Sequence, residues 1–96
     1  MSEIRFEWDA RKARSNAKKH GVSFEEAESV FFDEQALLLE DPRAPGEEER
    51  FALLGLSSTL RMLVVVHALR GDDVIRIISA RKATRQENRT YQSRLR

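Results

Sequence analysis

The run Leu63-Val64-Val65-Val66 places the tightest constraint on how this chain folds. It is apolar at both alternating sets of positions and rich in β-branched side chains, so it reads as a strand with neither face in water. Such a strand belongs at the centre of a sheet. The surrounding sequence keeps the same period: Ala36 to Glu40, Arg50 to Leu56, Met62 to Leu69 and Val74 to Ala80 read as four strands. Asp41-Pro42, Ala44-Pro45-Gly46 and Gly71-Asp72-Asp73 are turn formers between them. With no helix intervening, these strands should pair as an antiparallel meander.

The flanks change period. Ile4 to Trp8 alternates as a short half-buried strand, and Asp9 then offers its carboxylate as the N-cap of a helix from Ala10 to His20. Ala10, Ala13 and Ala17 give that helix a narrow apolar stripe, and Gly21 suits the left-handed residue that stops it. Ser23-Phe24-Glu25-Glu26 has the form of a capping box, with Ser23 on a backbone N–H and Glu26 reaching back. Phe24, Ala27, Val30 and Phe31 make the inward face of this second helix, which should end near Phe32-Asp33. Thr84-Arg85-Gln86-Glu87 is a second capping box and opens a basic C-terminal helix. The expected fold is α+β in a single domain over residues 1–96: a short strand, two helices, a four-stranded antiparallel meander and a final helix. Ninety-six residues are too few for two domains.

Composition removes several functional classes. The chain has no cysteine, hence no disulfide, thiolate metal site or cysteine nucleophile. No apolar run approaches the roughly 18 residues of a membrane span, and no signal-peptide core is present, so a cytoplasmic location without membrane association is expected. GxSxG, Walker and HExxH motifs are absent, and His20 and His67 fall in different elements. Glu47-Glu48-Glu49, beside a Pro-Gly turn, reads as a solvated loop. Neither a metal nor another cofactor is expected. The net charge of +1 hides an asymmetry: residues 25–50 hold ten acidic side chains against two basic, and residues 76–96 hold seven basic against one acidic. That division suits a nucleic-acid-binding face opposite an acidic region, and suits two solvated faces equally well.

The cations gather where the last strand meets the last helix. Strand alternation puts Arg76 on one face and Ser79 and Arg81 on the other. Arg81 and Lys82 stand at the helix start, whose free N–H groups also favour phosphate. Glu87 and Tyr91, four residues apart, share a helix face. These types suit RNA cleavage in which the RNA's own 2′-OH attacks the adjacent phosphorus. The protein then orients the chain, neutralises charge on the phosphoryl oxygens and moves two protons. Arginine forks match phosphate oxygens, and Tyr, Lys, His or Glu can carry protons. Each residue has a plainer reading beside this one. Glu87 suits helix capping better than catalysis, and Tyr91 packs the last helix with its hydroxyl at the rim. Asn16 bonds His20 or a nearby loop, and His67 is a satisfied core histidine. Trp8 is core, and Arg76 and Arg81 make salt bridges to the acidic middle segment.

Phe6-Glu7-Trp8-Asp9, Lys12, Asn16, Lys19-His20-Gly21, Phe24 and Ala27 resemble the opening signature of BrnT-type toxins. Arg50, Gly55, Val65-Val66, the block Arg76 to Ala83, Glu87 and Tyr91 resemble its second half, so the likeness runs nearly end to end. The resemblance implies a RelE-like α+β fold and an RNA-cleaving toxin that blocks translation. It also implies a BrnA-like ribbon-helix-helix antitoxin, paired with the toxin in a heterotetramer and carrying the only contact with DNA. Carried onto this chain, the matching polar and basic positions are Lys19, His20, Arg50, Arg76, Ser79, Arg81, Glu87 and Tyr91, with Lys82 beside them. Arg50, Arg76 and Arg81 are expected on phosphate, with Tyr91 or Lys19–His20 nearest the proton transfers. Two other readings stand beside the ribonuclease: an inactive RelE-like module that only complexes an antitoxin, and a general nucleic-acid-binding domain.

Overall fold

Asp9 and Gly21 bracket the first helix by their own chemistry. The Asp9 carboxylate accepts from the N–H groups of Arg11 (2.8 Å) and Lys12 (3.1 Å), and Gly21, at φ +70°, returns its N–H to Ala17. The structure, a computed structural model, describes residues 3–40 and 49–95. In it α1 spans Ala10–His20, and α2 (Phe24–Ser29) tightens into one 3₁₀ turn at Val30–Phe32. The strands are β1 (Arg5–Glu7), β2 (Leu37–Glu40), β3 (Phe51–Leu56), β4 (Met62–Arg70) and β5 (Val74–Lys82), and α3 is Arg85–Arg94. The turn expected at Asp41-Pro42 and Ala44-Pro45-Gly46, with Glu47 and Glu48, lies outside the described residues.

The strands form one mixed sheet in the order β1-β5-β4-β3-β2. β2 to β5 make the antiparallel meander, with the apolar run of β4 at its centre. One feature extends the four-stranded expectation: β1 joins as a fifth strand, parallel to β5, with Phe6 opposite Ile75 and Glu7 opposite Arg76. Arg5 N–H bonds Asp73 C=O at 2.7 Å, so β1 satisfies a backbone edge that β5 would otherwise leave open.

Each face of the sheet has its own core. On one, Val22, Phe24, Ala27 and Val30 pack on Leu63, Val65, Ile77 and Ala80, with Trp8 edge-on to Phe24 at 5.9 Å. On the other, Tyr91 of α3 covers Ala52, Leu54, Val64 and Val66. The two faces therefore bury alternate residues of one β4 run, which is why it is apolar throughout.

Two local expectations need correction. Of the expected alanine stripe only Ala13 packs on the core; Ala10 and Ala17 are exposed, and the buried inward residue of α1 is Asn16. Its Nδ2 donates to Ala80 C=O (2.8 Å) and Val22 C=O (3.0 Å), and its Oδ1 accepts from Ala80 N–H (3.1 Å). A side-chain amide, more than an alanine stripe, fastens α1 to β5. In α2, Ser23 does cap Glu26 N–H, but the Glu26 carboxylate turns to Arg61, Ser57 and Thr59 instead of reaching back. Those bonds, Arg61 foremost, hold its carboxyl down to about 2 despite burial.

Candidate active site

The geometry of the basic face turns on a bulge in β5. Val66 pairs with Ser79, but the next pair is His67 with Ile77, which leaves Ile78 as an extra residue. On an unbroken strand Arg76 would face away from Ser79 and Arg81, as alternation predicts. The bulge reverses that expectation. Arg76, Ser79 and Arg81 pair with Ala68, Val66 and Val64, alternate residues of β4, and Val64 and Val66 lie in the core beneath Tyr91. All three therefore share the α3 face. Continuing the β3–β4 register one residue beyond Phe51–His67 brings Arg50 beside Ala68, with Arg76 on the far side. Strand spacing sets the Cα atoms of Arg50 and Arg76 roughly 10 Å apart, and those of Arg76 and Arg81 roughly 13–16 Å.

Each motif arginine with a described partner is held by a carboxylate, though not one from the acidic middle segment. Arg76 Nη1 donates to Glu7 Oε2 at 2.8 Å across the parallel β1–β5 pair. Arg81 forms a two-pronged fork on Glu87, Nη1 to Oε1 at 2.9 Å and Nη2 to Oε2 at 3.0 Å. Glu87 also completes the capping box: its Oε1 accepts Thr84 N–H (2.8 Å) while Thr84 Oγ1 accepts Glu87 N–H (3.1 Å). The Arg81 fork, chiefly, holds the Glu87 carboxyl down to about 2, and Glu87 in turn raises the Arg81 guanidinium further. Arg81 is thus fixed in direction at the mouth of α3.

Tyr91 is buried, and its hydroxyl donates to Asp33 Oδ2 at 2.7 Å. Burial first, then this bond and the Asp33 charge, push the phenol up to about 12. Burial alone would raise the Asp33 carboxyl, but bonds from Leu56 N–H, the Tyr91 hydroxyl and Gln35 N–H outweigh it and lower its pKa. Tyr91 accordingly packs the last helix and ties it to the start of the β2 hairpin.

Other candidates lie elsewhere. Lys82 pairs with Leu63, a core residue of the opposite face, and so turns away from its neighbour Arg81. Lys19 and His20 end α1 on that same opposite side, where Gly21 C=O accepts from Arg61 Nη2 at 3.0 Å. The structure thus gathers Arg50, Arg76, Ser79 and Arg81, with Glu87 and Tyr91 as supports, and sets Lys19, His20 and Lys82 apart. His67 is the core histidine expected of it: buried edge-on to Phe31 (4.8 Å) and near Phe51 (5.9 Å), with Nδ1 at 3.2 Å from Val65 C=O. Burial lowers its pKa. Sequence reasoning missed Glu7 and Asp33. Glu7 stands in the sequence only as a polar strand position and a member of the Phe6-Glu7-Trp8-Asp9 signature, and Asp33 only as the expected end of the second helix; neither position announces a partner in Arg76 or Tyr91. Among the described residues, no three His, Asp or Glu side chains gather to share an ion, and no helix is long and apolar enough to cross a membrane.

A sheet whose basic face is partly covered by a C-terminal helix defines a small α+β domain suited to a phosphate-bearing chain. Residues 8–87 match the family described as the ribonuclease toxin BrnT of type II toxin-antitoxin systems, and the chain belongs to that family. RNA as substrate and an antitoxin as partner come with membership. The fold is similar to the 1.1 Å crystal structure of the Brucella abortus ribonuclease toxin BrnT, with a TM-score of 0.65 and 24% identity, covering 85% of this chain and 99% of that one. No curated protein gives a significant match.

Proposed function

We propose that this chain, acting as a single domain in the cytoplasm, is a metal-independent endoribonuclease that stops growth by cutting RNA on the α3 face of the sheet. The observation that carries this reading is the bulge at Ile78, which sets Arg76, Ser79 and Arg81 on one face in line with Arg50. The three arginines bind successive phosphates and stabilise charge as the 2′-OH attacks phosphorus, and Ser79 hydrogen-bonds the strand between them. Attack forms the O2′–P bond and breaks the P–O5′ bond, leaving a 2′,3′-cyclic phosphate and a 5′-hydroxyl, with water taking the 2′ proton and supplying one to the leaving oxygen. Glu87 keeps Arg81 aimed, and Tyr91 holds α3 in place over the sheet. Lys82, Lys19 and His20 steer the negatively charged strand from the opposite side and do not touch the scissile group. The antitoxin is a BrnA-like ribbon-helix-helix protein, bound in a heterotetramer and alone responsible for contact with DNA.

The test combines growth with chemistry. Induced wild-type protein should arrest bacterial growth, and folded Arg76→Ala and Arg81→Ala variants should relieve the arrest. Purified protein in EDTA should give RNA fragments with cyclic phosphate ends. Cleavage that needs added metal would sink the mechanism. A second reading, an inactive antitoxin-binding module, draws on the carboxylates already seated on Arg76 and Arg81. It expects no arrest and no cleavage from well-folded protein.

A further inference from the structure

The face opposite the arginines is not fully covered by α1 and α2. β-sheet register sets Phe6, Ile75 and Leu69 in one row on that side, and Phe32 leans on it with its ring 6.2 Å from that of Phe6. Leu69 is 57% exposed, Phe32 73%, and Ile4, two residues before Phe6, 63%. Register and the Phe6–Phe32 contact put Phe6, Ile75, Leu69 and Phe32 side by side, with Ile4 extending the same strand face, so they form one apolar patch instead of the scattered single residues common on any surface. Its rim is acidic. Glu28 lies one helical turn before Phe32, Glu34 lies two residues after it, and Asp72 follows Leu69 in the β4–β5 turn. None of the three is ion-paired among the described residues.

We infer that this patch is a docking surface for the antitoxin. The segment it takes is amphipathic, with bulky apolar residues on one side and Lys or Arg along its edges. An apolar centre flanked by carboxylates that have no ion pair among the described residues calls for that chemistry: the apolar side chains fill the Phe6–Ile75–Leu69 row, and the cations meet Glu28, Glu34 and Asp72. The inference rests on the toxin reading and adds the place and character of the contact. Because the patch lies across the sheet from Arg76 and Arg81, docking here and cutting RNA use different residues and can be separated.

The probe is the protein encoded beside this chain's gene, purified separately, with affinity read by calorimetry and RNA cleavage measured in parallel. Phe32→Ser with Leu69→Ser should weaken binding about 10-fold or more, as loss of apolar anchors does, while cleavage stays at the wild-type rate. Glu28→Lys with Glu34→Lys, which leaves every core residue untouched, should weaken binding and reverse its dependence on salt. Unchanged affinity in both folded variants overturns the inference. A wild-type dimer that the apolar substitutions make monomeric, with antitoxin affinity intact, assigns the patch to a second copy and overturns it too. If wild-type protein cuts RNA but fails to bind the probe, the docking inference falls and the ribonuclease reading survives. Binding lost through the patch in a protein that cuts nothing keeps the docking surface and removes the enzyme.

Discussion

At the residue scale, Glu87 carries two roles that one substitution separates. Gln can still serve as the third residue of a capping box, but it has no charge for the Arg81 fork. Glu87→Gln should therefore keep α3 in place and leave Arg81 free to swing. Cleavage should fall about 10-fold, less than the roughly 100-fold or more that deleting a preorganised donor costs, because Arg81 stays but is no longer aimed. The stability loss should be about 0.5–1 kcal/mol for a half-buried pair. The sign of the pH effect follows from the carboxyl's being held down to about 2. Its contribution is complete above the ordinary glutamate range and is lost as pH falls from about 4.5 towards 2. An acid titration followed by circular dichroism should show a shallower loss over that window in Glu87→Gln than in the wild type. Equal cleavage by the two proteins would reduce Glu87 to a cap.

At the scale of elements, most of the fold was legible because it is written locally. Asp9, Gly21, Ser23 and Thr84 mark helix ends through contacts within a few residues, and the β4 run announces a central strand. What escaped is non-local. Nothing near Ile78 marks a bulge, since neither Gly nor Pro stands there, so plain alternation placed Arg76 on the wrong face relative to Arg81. The bond from Tyr91 to Asp33 spans 58 residues, and the pairing of β1 with β5 leaves no local trace. Asn16 belongs to the same group, its partner Ala80 lying 64 residues away. Removing its amide strands the N–H and C=O of Ala80 and the C=O of Val22 in the core. Asn16→Ala should cost about 1–3 kcal/mol in urea unfolding, with amide exchange accelerated first at Ala80. A loss below about 0.5 kcal/mol would mean that apolar packing alone docks α1, as the alanine stripe had suggested.

For the whole molecule, the question is whether RNA meets one face or the protein's general basicity. Residues 76–96 carry seven cations, and α1 ends on Lys18 and Lys19, yet the chain's net charge is only +1. A general binder would let a flexible strand touch most of those cations. Seven phosphate contacts imply that log affinity falls with log salt at a slope of roughly −5. The sheet face offers Arg50, Arg76 and Arg81, and three contacts imply a slope of roughly −2. A short 2′-O-methyl RNA, which binds without providing an attacking hydroxyl, separates the two by fluorescence anisotropy across a salt series. We expect the shallower slope, and a further decrease of about 0.7 in Arg76→Ala, one contact's share for a single strand. Glu7→Gln should move affinity the other way, since it releases Arg76 from the carboxylate it now faces. A steep slope that Arg76→Ala leaves unchanged would mean that phosphate is read by the molecule's scattered charge, and that the face assembled by the bulge has no special claim on RNA.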